Sequence, residues 1–273
     1  MKPPWKRRPD APELSRGGKM QRGIGTGLSG YLSYFGPATL AAVAYIDPGN
    51  FGTDITAGAG FGYLLLWSVL LANLMGILLQ YLSGKLGIAT SQSLAELIRQ
   101  SLGRRSRVIP YWLASEVFAV FTDLAEFLGV TSAIYLLSGG TIPLLVAAWI
   151  SAFDVIVVFA GKKFRRIELM ITMLVFGIGL GYVYEIFLVG ANAVSVGTGL
   201  IIPTITSSNQ LFLVVGIIGA TVMPHALVLH SSLTKARAVG LDLEQRKKLL
   251  RYHRWDSIGN LTIAGLINMA ILI

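Results

Sequence analysis

Four residues, Asp47-Pro48-Gly49-Asn50, cut short an apolar stretch that runs from Gly30 to Ile46, and they constrain this chain more than any other feature. A membrane-spanning helix needs about 20 predominantly apolar residues. Pro48 has no N–H to donate and disfavours helical geometry at the residue before it, so the helix has to open at Asp47. Backbone freed at bilayer depth is tolerated only where it is buried in protein or lines a polar cavity. A carboxylate there is costly unless it is protonated or paired with a cation. Pro-Gly at the centre of a four-residue turn also draws Asp47 and Asn50 together. Two oxygen-bearing side chains thus converge on one opened turn, which is the arrangement of a cation site.

Composition places that turn in a membrane. Of 273 residues, 53% are hydrophobic and 14% charged, with a mean hydropathy of +0.64, too apolar for one soluble domain of this length. Seven spans are expected, at 30–60 (interrupted at Asp47), 63–88, 108–137, 142–160, 167–189, 211–234 (interrupted near Met223-Pro224) and 257–273. The 23 Lys and Arg are confined to alternate connections. Seven fall in 1–22, four in 99–107, four in 162–166 and seven in 235–254, while Lys85 closes the second span. The positive-inside rule then sets the N-terminus in the cytoplasm, and the net charge of +9 belongs to the inner membrane surface rather than to nucleic-acid binding. The expected division is a basic cytosolic tail over 1–27 and a multi-pass transmembrane domain over 28–273. Segments 91–107 and 235–254 read as short amphipathic surface helices, with His253 exposed in the second. There is no cysteine, so metal ligands must be oxygen, nitrogen or thioether.

A second break lies at Met223-Pro224-His225, inside LFLVVGIIGATVMPHALVLHSSL. A bare proline kink is the alternative reading of this segment alone. Pairing with the first break favours a functional one, because inverted-repeat transporters open the first helix of each half around a midplane site. Carbonyls ending the preceding half-helices, from Ala44 and Ala220, would add partly negative oxygens for a cation. Asp47 and Asn50 offer hard oxygen, and Met223 a soft thioether that Mg²⁺ or Ca²⁺ would not use. The mixture suits divalent transition metals, unless Met223 only packs.

A third constellation is acidic. Glu116, Asp123 and Glu126 share one stripe of the third span, at offsets of seven and three. With Asp47 and His225 they make a candidate proton route. Hydrogen bonding to neighbouring backbone is the alternative for Glu116 and Asp123, and Glu185 reads as hydrated near a helix end. His225 and His230 point about 140° apart on a helix, so they are not a same-face zinc pair. No nucleophile or cofactor fingerprint argues for an enzyme.

The runs GPATLAAVAYIDPGNFGTD, AGAGFGYLLLWSVLLANLMGILLQYLSGKLGIAT, TDLAEFLG and VGIIGATVMPHALVLHSSL together resemble the Nramp family of proton-coupled divalent-metal transporters, from about Gly36 onward. The resemblance implies an all-α, LeuT-type inverted-repeat fold in the cytoplasmic membrane. It implies Mn²⁺ and Fe²⁺ as substrates and H⁺ as the coupling ion, with no cofactor. It assigns Asp47, Asn50 and Met223 as side-chain metal ligands and the carbonyls of Ala44 and Ala220 as backbone ligands. Glu116, Asp123, Glu126 and His225 match positions tied to proton movement or gating. Family members have ten core helices, so the chain is expected to hold the first five-helix repeat and two helices of the second, a truncated transporter. The alternatives are a non-transporting fragment or assembly partner, and a same-fold Na⁺-coupled symporter of an organic solute. Nothing in the sequence sets an oligomeric state.

Overall fold

The first break is where the described structure begins. In this computed structural model residues 45–160 and 164–273 are described, and all of them belong to one unit. Helix α1 (Pro48–Phe61) starts at the proline, whose missing N–H would be unpaired at a helix start in any case. Asp47 caps it in extended geometry, its carboxylate accepting from Asn50 N at 2.6 Å. The helix stops at Gly62, where φ is +56°, and a 3₁₀ turn over Gly62–Leu65 leads into α2 (Leu66–Thr90). Ser91, left-handed at φ +55°, ends α2, and its last carbonyls are met by a guanidinium, with Arg246 Nη1 donating to Ile88 O at 3.4 Å and Ala89 O at 3.3 Å.

A capping box, Ser93 with Glu96, starts the short amphipathic α3 (Leu94–Leu102) within the expected surface segment. The long helices α4 (Arg105–Leu137), α5 (Leu144–Ala160) and α6 (Phe164–Val189) follow the expected spans. Next comes α7 (Ala193–Ile201), in a connection where no helix was expected. The sixth span is divided into α8 (Ser208–Thr221) and α9 (Pro224–Ala238), with Val222 and Met223 in non-helical geometry between them. Three helical stretches among the described residues, Pro48–Thr90, Arg105–Leu137 and Ser208–Ala238, are long and apolar enough to cross a membrane.

The last helix corrects the sequence reading. Instead of a surface helix and a separate span, α10 runs unbroken over Leu243–Leu272 from an Asp242/Gln245 capping box. Its charged first half is rich in Leu, Arg and Lys, all good helix formers, and contains no Pro or Gly to stop it. That continuity carries His253 off the surface and buries it completely against α2.

Helix α2 is the hub, packed against α9 and α10 through small residues. A Cβ on Gly84 would lie 2.5 Å from His253 Nε2, and one on Gly87 would overlap the Ser231 carbonyl, so only glycine lets these helices approach so closely. The apolar core joins Ala57 of α1, Leu66, Val69 and Ala72 of α2, Leu213 and Ile217 of α8 and Leu272 of α10. A second cluster packs Tyr45 onto Leu261 and Ala264 of α10. Together they fasten α1, α8 and α10 around the two breaks.

The amphipathic α3 is tied to the end of α9 by Leu94 N donating to Ser231 Oγ at 2.9 Å and by Lys235 Nζ donating to both Glu96 oxygens at 2.6 and 2.7 Å. The Lys235 hydrogen bonds hold the Glu96 carboxyl below its usual range, against the opposing effect of burial. A depressed carboxyl pKa contributes stability that is present above the unfolded value and is lost as pH falls through the folded one. Glu96→Gln keeps a capping-box side chain and removes only the charge. It should lower the melting temperature slightly at pH 7, for a loss under about 1 kcal/mol at this half-exposed pair. Melts repeated at a pH below the depressed folded value should show no difference between variant and parent. An equal deficit at both pH values would assign the effect to the cap instead of the ion pair.

Candidate metal centre

The two breaks meet. Gly49, in the first turn of α1, lies so close to the end of α8 that a Cβ on it would sit 3.6 Å from Ala220 Cβ and 3.2 Å from Asp47 Oδ1. Asn50 bridges them. Its Nδ2 donates to Tyr45 O at 2.9 Å and reaches Ala220 O at 3.5 Å, while its Oδ1 accepts from Thr221 Oγ1 at 2.9 Å. One fully buried side chain thus satisfies carbonyls on both sides of the junction, which in an apolar slab would otherwise cost several kcal/mol each.

Asp47 and Met223 are buried at the same junction, each capping the half-helix that follows its break. Both caps precede a proline, so the two helices begin alike, and the N-terminal end of each points its partial positive charge at the break. Ala220 belongs to the last turn of α8, whose carbonyls carry the opposite partial charge. Oxygens of Asp47, Asn50 and Ala220 therefore belong to one neighbourhood, and Met223 is buried three residues beyond Ala220. Ala44 lies outside the described residues. Among the described residues no group of three His, Asp or Glu side chains converges, at the junction or elsewhere.

The acidic stripe divides. Glu126, half-buried on α4, is in electrostatic range of Asp47, of His225 in the first turn of α9, and of Asp123. A Cβ on Gly129 of the same helix would overlap Pro48, so α4 lies directly against the break. Glu116 is exposed ten residues earlier on α4, roughly 15 Å along the axis, and is not brought to the junction. Asp123, His225 and Glu185 are exposed.

Several buried polar groups escaped the sequence reading. Asn268 of α10 donates from Nδ2 to Tyr45 O at 3.0 Å, and Asn73 of α2 packs where a Cβ on Gly265 would overlap it. His230 Nδ1 meets Gln80 Oε1 at 2.8 Å, and its ring stands edge-on to His253 with centroids 5.1 Å apart. Asp54, one turn above Asn50, is fully buried with neither carboxylate oxygen hydrogen-bonded among the described residues. The available signal was chemical: Asn73, Gln80 and Asn268 are amides inside otherwise apolar helices, where a polar side chain needs a partner.

Apolar helices of membrane length, two of them opened at prolines that meet around buried oxygen and sulfur, define a polytopic membrane protein of the broken-helix type. Residues 38–273 match the sequence model of the Nramp family, described as natural resistance-associated macrophage protein-like, and the chain belongs to that family. It is 42% identical over 249 residues to the divalent metal cation transporter MntH of Bacillus subtilis strain 168, a match covering 90% of this chain and 58% of that protein. With the divalent metal cation transporter MntH of Deinococcus radiodurans it shares 42% identity over 275 residues, covering 97% of this chain and 62% of the relative. Its fold superposes on a manganese transporter of Eremococcus coleocola, solved with an aromatic bis-isothiourea substituted compound. That TM-score is 0.76 at 36% identity, over 90% of this chain and 51% of the other. The chain therefore spans a little over half the length of the relatives it matches.

Proposed function

We propose that this chain carries the metal-binding half of a proton-coupled importer of divalent transition metals, Mn²⁺ and Fe²⁺ foremost. The observation that supports the reading is the meeting of the two breaks, where Asn50 reaches Ala220 and Asp47 and Met223 are the buried caps of the half-helices that follow. Two named relatives are divalent metal cation transporters, and a structural neighbour is a manganese transporter. In this reading Asp47 supplies the formal negative charge, Asn50 and the carbonyls of Ala220 and Ala44 supply neutral oxygen, and Met223 supplies the soft donor that discriminates against Ca²⁺ and Mg²⁺.

Protons take a separate path past the metal. Glu126 is its first member, being in electrostatic range of both Asp47 and His225, with Asp123 one turn away on the same helix and Glu116 further along. The domain over 28–273 sits in the cytoplasmic membrane, and the basic segment 1–27 stays on the inner side with the other Lys- and Arg-rich connections. Transport here requires no covalent chemistry and no bound cofactor, only alternating exposure of the midplane site.

Asp47→Ala should abolish saturable Mn²⁺ binding in calorimetric titrations, because the cation's desolvation is then opposed only by neutral ligands. Parent-like affinity in that variant would remove Asp47 from the site. Met223→Ala should retain part of the Mn²⁺ binding while Ca²⁺ becomes a better competitor, since loss of sulfur leaves an oxygen-rich, harder site. Equal inhibition of variant and parent by Ca²⁺ would make Met223 a packing residue.

A further inference from the structure

The amide of Asn50 is turned the wrong way round for a metal ligand. Its amino group, not its oxygen, faces the carbonyls at the junction, with Nδ2 2.9 Å from Tyr45 O and 3.5 Å from Ala220 O. Its oxygen faces Thr221, whose hydroxyl donates to it at 2.9 Å. Chemistry fixes this orientation, because carbonyl oxygens accept only and the group between two of them must be the donor. The amino group thus stands where two carbonyls would otherwise face a cation.

A half turn of the amide exchanges its partners. Nδ2 then meets Thr221 Oγ1, which accepts as readily as it donates. The Thr221 proton is free to go to Ile217 O, already 2.8 Å away. Tyr45 O keeps Asn268 Nδ2 at 3.0 Å. Asn50 Oδ1 now faces both Tyr45 O and Ala220 O with no donor between them, and a cation is what joins such oxygens. Asn50 is fully buried and Thr221 to within 2% of full burial, so water does not reach the amide or its hydroxyl partner.

We propose that without a metal ion the amino group of Asn50 plugs the centre, that the amide turns over when a divalent metal ion enters, and that Thr221 is the positioning residue supporting both orientations. This rests on the reading of Asp47, Asn50 and Met223 as metal ligands. Entry of the ion replaces the Nδ2 contacts to Tyr45 O and Ala220 O with a cation and gives Nδ2 the Thr221 hydroxyl as its acceptor.

Valine has the shape of threonine without its hydroxyl. Thr221→Val leaves Nδ2 without an acceptor in the loaded state and Oδ1 without a donor in the empty one, and an orphaned N–H is the less tolerated of the two. Mn²⁺ affinity, titrated calorimetrically at one fixed pH, should fall about tenfold in Thr221→Val and stay within about twofold in Thr221→Ser. Asn50→Asp provides the decisive background, because a carboxylate has two equivalent oxygens and needs no turn. There the hydroxyl serves the outward oxygen in both states, so adding Thr221→Val should change Mn²⁺ affinity by less than about twofold. Parent-like affinity in Thr221→Val, or the same loss in the Asn50→Asp background, would overturn the turnover. Unchanged affinity in Asn50→Ala would instead refute the ligand assignment on which it stands.

Discussion

A helix opened inside an apolar slab exposes carbonyls and N–H groups that no water is there to satisfy, and every feature of the centre answers that constraint. Asn50 answers most of it, with hydrogen bonds from one side chain to the carbonyl of Tyr45, toward that of Ala220 and from the hydroxyl of Thr221. The Asp47 carboxylate takes the N–H of Asn50 itself, so the first turn of α1 is closed without an upstream helical partner. The two breaks therefore stabilise each other, and either one alone would leave unpaired backbone at depth.

The packing of the rest of the bundle follows from holding that junction in register. Helix α2 brings glycines to the positions where Tyr45, His253 and Ser231 press against it. The amide side chains it buries, Asn73 and Gln80, face α10 and α9, the helices that also carry Asn268 and His230. Apolar contacts from α1 through α2 to α8 and α10 supply the close packing, and the amides fix which turn lies opposite which. The salt link between α3 and the end of α9, by contrast, is half-exposed and adds little energy.

Much of this was legible in the sequence, for physical reasons that differ by element. Proline has one unavoidable local effect, so Pro48 and Pro224 located both breaks to the residue. Hydropathy and charge located the long helices because a span has to be apolar whatever it packs against. The short α7 was hidden, since AVSVGTGLI carries two glycines and no charge and reads equally as a loop. The continuity of α10 was hidden by its charged half, which resembles a surface helix until burial against α2 is known. The pairing of Thr221 with Asn50, 171 residues apart, has no local signature at all. Nor does the separation of Glu116 from Glu126, because a shared stripe says which side of a helix two acids occupy and not what packs there.

The central claim is that one divalent metal ion sits where the two breaks meet, held by residues from both. Crystals grown with Mn²⁺ and measured at the manganese absorption edge test it without reference to activity. The account predicts a single strong anomalous peak within bonding distance of both the Asp47 carboxylate and the Met223 sulfur, with the oxygen of Asn50 turned toward it. A peak bound to only one of the two breaks, or lying away from both while the junction stays closed, would contradict it.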